Sequence, residues 1–169
     1  MSQSLKDLTK VIKKDIRLFE KEFDDALHSK VKLIRTVSRF LIKQKGKRIR
    51  PILTILSARV CGKPTQNSYR AAAMIELLHI ATLIHDDVVD GAMKRRGWFS
   101  INRIWGNKLA VLMGDFVLSK SLIYMIKLKD FDILDLISKT AEFMSAGEIL
   151  QLDYRFSRHP TEDIYFDLI

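Results

Sequence analysis

A chain of 169 residues, 47% of them apolar, is long enough to bury one core and too well patterned for a disordered linker. With seven glycines, three prolines and apolar residues recurring at helical instead of alternating spacing, it reads as a chain built almost wholly of helices, with no strand. The excess of 29 Lys+Arg over 20 Asp+Glu, a net charge of +9, points to an anionic partner: nucleic acid, an acidic membrane surface or a phosphorylated small molecule.

Ser4 caps a first predicted helix whose apolar positions Leu5, Leu8, Ile12, Ile16, Phe19, Phe23 and Leu27 step by three and four. A second carries Val31, Ile34, Val37, Phe40 and Leu41 and stops at Gly46, and Pro51 and Gly62 bound a short third. After a loop from Lys63 to Asn67, a fourth runs from Ser68 to about Asp90, apolar nearly all round and therefore central. Its most apolar stretch, Ala71 to Ile84, is interrupted by Glu76 and His79 and falls short of the roughly 20 residues of a membrane span, so it reads as a core helix and no stable membrane insertion is expected. Gly91 to Gly106 reads as a basic loop anchored by Trp98, Phe99 and Trp105. Two long helices follow, Asn107 to about Lys127 and Asp130 to about Phe156, and a last one opens after Pro160 with Thr161 as its cap. The expectation is one all-helical domain over residues 1–169, broken off in mid-pattern at Ile169. The single cysteine, Cys61, excludes an intrachain disulfide, and the charged N-terminus has no apolar signal core, so the expected setting is cytoplasmic.

Asp86, Asp87 and Asp90 fall within one turn at the end of the fourth helix, where the helix dipole already opposes negative charge. Something positive is needed beside them. Magnesium suits the need, since it takes oxygen ligands, keeps several waters and bridges one or two carboxylates to substrate phosphates. The plain alternative is a solvated acidic helix end, or direct neutralisation by Arg95 and Arg96, which follow at once with Lys94. A second charged group, Lys45, Gly46, Lys47, Arg48, Ile49, Arg50 and Pro51, lies where a helix starts and its unbonded N–H groups favour an anion. Lys47 and Arg50 are the expected diphosphate ligands there; a solvated charge run is the commonest alternative. His79 stands two turns before Asp86 on roughly the same face, although a lone histidine on an apolar helix is more often a satisfied core residue. His85 either orients a carboxylate or caps the helix, and carries no catalytic role in this reading.

Together these pieces resemble the trans-isoprenyl diphosphate synthases, or polyprenyl synthetases. Gly46 to Pro51 matches the family's basic motif, Glu76-Leu77-Leu78-His79 leads into His85-Asp86-Asp87-Val88-Val89-Asp90, and Arg95-Arg96-Gly97 follows at the family's distance. Gly114-Asp115-Phe116 and Gly147-Glu148 with Gln151 agree more weakly. The resemblance implies an isoprenoid-synthase helical bundle and a magnesium-dependent prenyltransferase that joins isopentenyl diphosphate to an allylic diphosphate. It implies that Asp86, Asp87 and Asp90 bind the metal and carry the catalysis, that Arg95 contacts the allylic diphosphate, and that Lys47, Arg50, His79 and Arg96 bind isopentenyl diphosphate. It also implies a homodimer. The resemblance further implies that Ala81, near Leu78, Ile75 and Thr82 below the acids and small where short-chain members of the family carry an aromatic plug, leaves room for a product longer than farnesyl.

Family members are about twice this length, and their second aspartate-rich motif belongs to the half that is not present here, so these residues alone are expected to turn over weakly or not at all. Two other classes fit some of the features. A non-catalytic partner subunit keeping the fold would not need Asp86, Asp87, Asp90 and Arg95 intact. A basic module for nucleic acid or membrane surfaces would explain the charge and leave the acidic turn without a purpose; no nucleic-acid-binding signature supports it.

Overall fold

The computed structural model of the protein describes residues 10–44, 46–95, 97–155, 162 and 166. The chain separates into two compact units, Met1–Lys129 and Asp130–Ile169. The predicted start at Ser4, the last turn at Phe156 and the cap at Thr161 lie outside the described residues.

In the first unit, α1 spans Lys13–Ala26 and buries Phe19 and Phe23, with Ile12 and Leu27 continuing the predicted stripe at its two ends. Helices α2 (Lys32–Lys43) and α3 (Ile49–Val60) follow. Pro51 sits inside the first turn of α3, not at its first residue. It is tolerated there because first-turn N–H groups have no intrahelical acceptor. The central helix α4 runs Gln66–Val89, two residues earlier than its apolar pattern announces. Its start is fixed by Ser68 Oγ, which accepts the Thr65 N–H at 3.1 Å, the reach-back half of a capping box. Helix α6 (Asn107–Leu128) packs along α4, burying Ala110, Met113, Val117 and Ser121 against it, and Ser121 Oγ donates to the Met74 carbonyl at 3.1 Å. By length and composition α6 also passes as a membrane span, with a mean hydropathy of 1.7; the core helix of a soluble protein passes the same test.

The segment expected to be a plain loop holds more order than its composition announces. Lys94–Arg95 (β1) and Trp98–Phe99 (β2) pair antiparallel, Lys94 opposite Phe99 and Arg95 opposite Trp98, and a short helix α5 (Ile101–Trp105) follows. The expectation of no strand is therefore corrected: Gly97, at φ +83°, lets the chain reverse, and two aromatic residues suit the returning strand. Two residues per strand are too few to show alternation in the sequence. Phe40 of α2 lies edge-on to Trp98 and Trp105, with ring centroids 6.1 and 5.1 Å away, so the aromatic anchors expected of this segment hold it against α2.

The core contains one polar knot that no apolar pattern reveals. Asp15 of α1 is 5% exposed and accepts hydrogen bonds from Tyr69 Oη of α4 and Arg59 Nε of α3, each at 2.8 Å, so three helices meet on one carboxylate. Burial alone would raise the Asp15 pKa, but the bonds from Tyr69 and Arg59 outweigh it and hold the carboxyl below its ordinary range. Burial first, and then the Asp15 charge, push the Tyr69 hydroxyl up. The stability Asp15 supplies is present above the ordinary carboxylate pKa and is lost as pH falls through its lowered value; that of Tyr69 is present below the ordinary tyrosine pKa and is lost as pH rises through its raised value. Melting temperature is thus expected to fall below about pH 4 and above about pH 10, and Asp15→Asn to lower the plateau and flatten both limbs. A melting curve across that pH range checks it; unchanged limbs in the variant would move the titration elsewhere.

In the second unit, α7 runs Phe131–Arg155. Asp130 Oδ1 accepts the N–H groups of Asp132 and Ile133 at 3.1 Å each and so caps it, and Gly147, Glu148 and Gln151 lie along it.

Candidate functional site

Helix α4 ends in a left-handed cap. Asp90 is the terminal residue, Gly91 takes φ +62°, the Ala92 N–H returns to the Asp87 carbonyl at 2.9 Å and the Gly91 N–H to Val88 at 3.3 Å, a Schellman arrangement. Asn102 of α5 donates its amide to the Asp87 and Ala92 carbonyls at 2.9 and 3.1 Å, and Ser100 Oγ donates to Ala92 at 2.6 Å. The acidic turn is therefore held from both sides.

The three acids do not face one way. Successive residues diverge by about 100° around a helix, so Asp87 turns inward, 7% exposed, and accepts Arg95 Nε at 2.8 Å. Asp86 and Asp90, four apart, share an exposed face. Among the described residues no group of three His, Cys, Asp or Glu side chains stands close enough to hold a metal ion. The exposed pair remains a pair of oxygen donors suited to a hard divalent cation that keeps most of its waters, whereas Asp87 serves in this structure as the partner of Arg95. Arg96 lies outside the described residues.

The basic segment opens onto a cleft of about 440 Å³ lined by Gly46, Lys47, Arg48, Ile49, Arg50, Glu76 and His79. That is room for a small diphosphate. A smaller cavity of about 70 Å³ shares Gly46, Arg48, Glu76 and His79 with it and adds Asp87 and Arg95 among apolar residues including Phe23, Leu83 and Ile101. The sequence places the basic motif and Asp87 far apart; here the two cavities that they line adjoin through Gly46, Arg48, Glu76 and His79, and Asp86 and Asp90 line neither. Lys47 and Arg50 are exposed at the rim of the larger one. No acidic residue occurs from Ala26 to Ile75, so α2 and α3 carry only positive charge, with Lys32, Arg35, Arg39 and Lys43 exposed along one side of α2. Ala81 does not line either cavity; it is 1% exposed, buried in the first unit.

On the far side of the acidic turn, His85 Nε2 lies 3.2 Å from Asp115 Oδ1 of α6. Gly114 makes this possible, because a Cβ there would stand 2.3 Å from the same nitrogen. Any side chain at Gly114 must evict the imidazole from Asp115.

The sequence profile of the polyprenyl synthetase family matches residues 31–169. The chain belongs to that family. It is 37% identical over 165 residues to the geranyl-diphosphate-specific all-trans-nonaprenyl-diphosphate synthase of Rhodobacter capsulatus, covering 96% of this chain and 50% of that one. It is 37% identical over 145 residues to the octaprenyl diphosphate synthase of Escherichia coli K12, covering 86% of this chain and 45% of the relative. The crystal structure of a polyprenyl synthase from Caulobacter crescentus, complexed with calcium and isoprenyl diphosphate, superposes on it with a TM-score of 0.89 at 31% identity, covering 100% of this chain and 52% of that one. The chain thus spans about half the length of the curated relatives it matches. Outside the family's motifs, sequence reasoning missed Asn102 and Ser100, which pin the acidic turn, and Gln44, whose amide donates to the Phe99 carbonyl at 3.3 Å. Their work is done through main-chain carbonyls, which leave no signature in side-chain spacing.

Proposed function

We propose that the protein takes part in trans-prenyl transfer, the condensation of isopentenyl diphosphate with an allylic diphosphate to a longer polyprenyl diphosphate. One observation carries this reading: the cleft lined by Lys47 and Arg50 and the cavity lined by Asp87 and Arg95 adjoin, with Gly46, Arg48, Glu76 and His79 common to both. Lys47, Arg50 and His79 bind the isopentenyl diphosphate, with the first-turn N–H groups of α3 adding to the field. Arg96 joins them as the family's motif implies. Arg95 meets the allylic diphosphate at the acidic side. Asp86 and Asp90 hold magnesium, with Asp87 beside them, and the bound ion supplies neutralisation of charge on the departing diphosphate. The chain's own residues do the rest: they hold the two diphosphates side by side, fix the allylic end against the alkene, and keep water out with Phe23, Leu83 and Ile84.

The proposed product is longer than farnesyl, in keeping with relatives that make octaprenyl and nonaprenyl diphosphates. The proposed assembly is a homodimer in a cytoplasmic setting; exposed Leu112, Leu122 and Ile126 on α6 are surface of the kind a subunit contact covers. The test is calorimetric titration with isopentenyl diphosphate, and separately with magnesium and an allylic thiodiphosphate, followed by incorporation of labelled isopentenyl diphosphate into extractable product. Saturable binding at both sites supports the reading even where turnover is slow; binding at neither overturns it.

A further inference from the structure

We infer that Arg48, to which the reading above gives no role, is a positioning residue for the basic anion site, acting through Glu20 of α1. Lys47, Arg48 and Arg50 are not equivalent. Lys47 and Arg50 are exposed, whereas the Arg48 side chain is only 12% exposed, turned inward and already engaged. Its Nη1 donates to Glu20 Oε1 at 3.1 Å, and its guanidinium lies over the rings of Phe19 and Phe23, 5.4 and 5.3 Å from their centroids. Both rings belong to the fully packed stripe of α1. Planar, weakly hydrated and forked, guanidinium suits such a seat, which an ammonium fills poorly.

Arg48 stands at φ +49°, ψ +39°, in the left-handed region, immediately before α3, and its carbonyl accepts the Ile52 N–H at 3.1 Å. A residue with a Cβ occupies that region at a cost and persists there only when its surroundings over-determine it. Glu20, Phe19 and Phe23 supply that determination. Lys47 and Arg50, on the two sides of this left-handed residue, are exposed at the cleft, whereas the Arg48 side chain lines it from the core side, held there by Glu20. Arg48 also lines both cavities and so forms part of the wall between the basic and acidic sides.

This inference rests on the anion reading of the basic segment, and its test turns on a sign. Glu20 is negative. If Arg48 acted only as a nearby charge, Glu20→Gln would make the site more positive and tighten anion binding. If Glu20 anchors Arg48, the same change releases the segment and weakens binding. The experiment is calorimetric titration of the protein with isopentenyl diphosphate in metal-free buffer, comparing the parent with Glu20→Gln, Arg48→Lys and Lys47→Ala, with far-UV circular dichroism to follow the fold. Glu20 is 35% exposed, so its amide is accommodated without a buried vacancy. The expected result is binding weakened roughly fivefold or more in both Glu20→Gln and Arg48→Lys, although the second keeps the charge. Unchanged or tighter binding in Glu20→Gln overturns the positioning role while leaving the site intact. A parent that binds, with Lys47→Ala binding equally well, overturns the site reading itself.

Discussion

Asp86→Ala and Asp90→Ala are each expected to weaken binding of magnesium with inorganic pyrophosphate by at least about tenfold, and to lower prenyl transfer by about 10³-fold in any form of the protein that turns substrate over. The two residues stack four apart on the exposed side of the helix end, where the dipole of α4 is least hospitable to negative charge. A divalent cation held there, as proposed, would offset that unfavourable charge. Because neither side chain is buried, the loss is expected without a change in helical content. Calorimetry with magnesium and pyrophosphate, beside circular dichroism, checks both halves. Near-parental binding in both variants would remove the metal from this turn.

Arg95→Ala is expected to cost about 3 kcal/mol of stability. The pair it breaks is asymmetric: the Asp87 side chain is 9% exposed and that of Arg95 32%. Removing the arginine leaves a carboxylate buried without its partner. Removing both ends of the pair does not, so Asp87→Asn combined with Arg95→Ala is expected to recover most of the loss, to within about 1 kcal/mol of Asp87→Asn alone. Trp98 lies opposite Arg95 in the hairpin and Trp105 follows in α5, and their fluorescence in a urea titration of the four proteins reports the cycle. Additive losses would show that Asp87 and Arg95 do not depend on one another.

What could be read from the sequence followed from burial and from motif spacing. The stripe of α1, the central place of α4 and the extent of α6 all come from apolar periodicity, which reports which faces leave water. The basic segment and the acidic turn were legible as charge next to helix ends, and their resemblance to a family gave them roles. What escaped was set by main-chain geometry. Nothing in the letters around Gly46 announces that Arg48 is left-handed and turned inward, since arginine rarely adopts that conformation. Nor does the crowding of Asp86, Asp87 and Asp90 in sequence reveal that the middle one is turned away to Arg95; the rotation of the helix decides that, and the hairpin that delivers Arg95 is too short to leave a pattern. Asp15 escaped for the opposite reason, a charged residue lying within an apolar face whose partners come from two distant helices.

The acid-free stretch from α2 through the start of α4 has a kinetic meaning. Every charged residue from Ala26 to Ile75 is positive, and Lys47, Arg48 and Arg50 of that stretch line the cleft, with Glu76 the one acid among its lining residues. If a diphosphate is the ligand, as proposed, its encounter with that cleft is expected to be accelerated, and to lose speed as ionic strength rises past the point where the screening length drops below about 10 Å. Escape, governed by short-range contacts once the ligand is seated, has no such dependence. Salt therefore acts on how quickly the site is found more than on how long it stays filled.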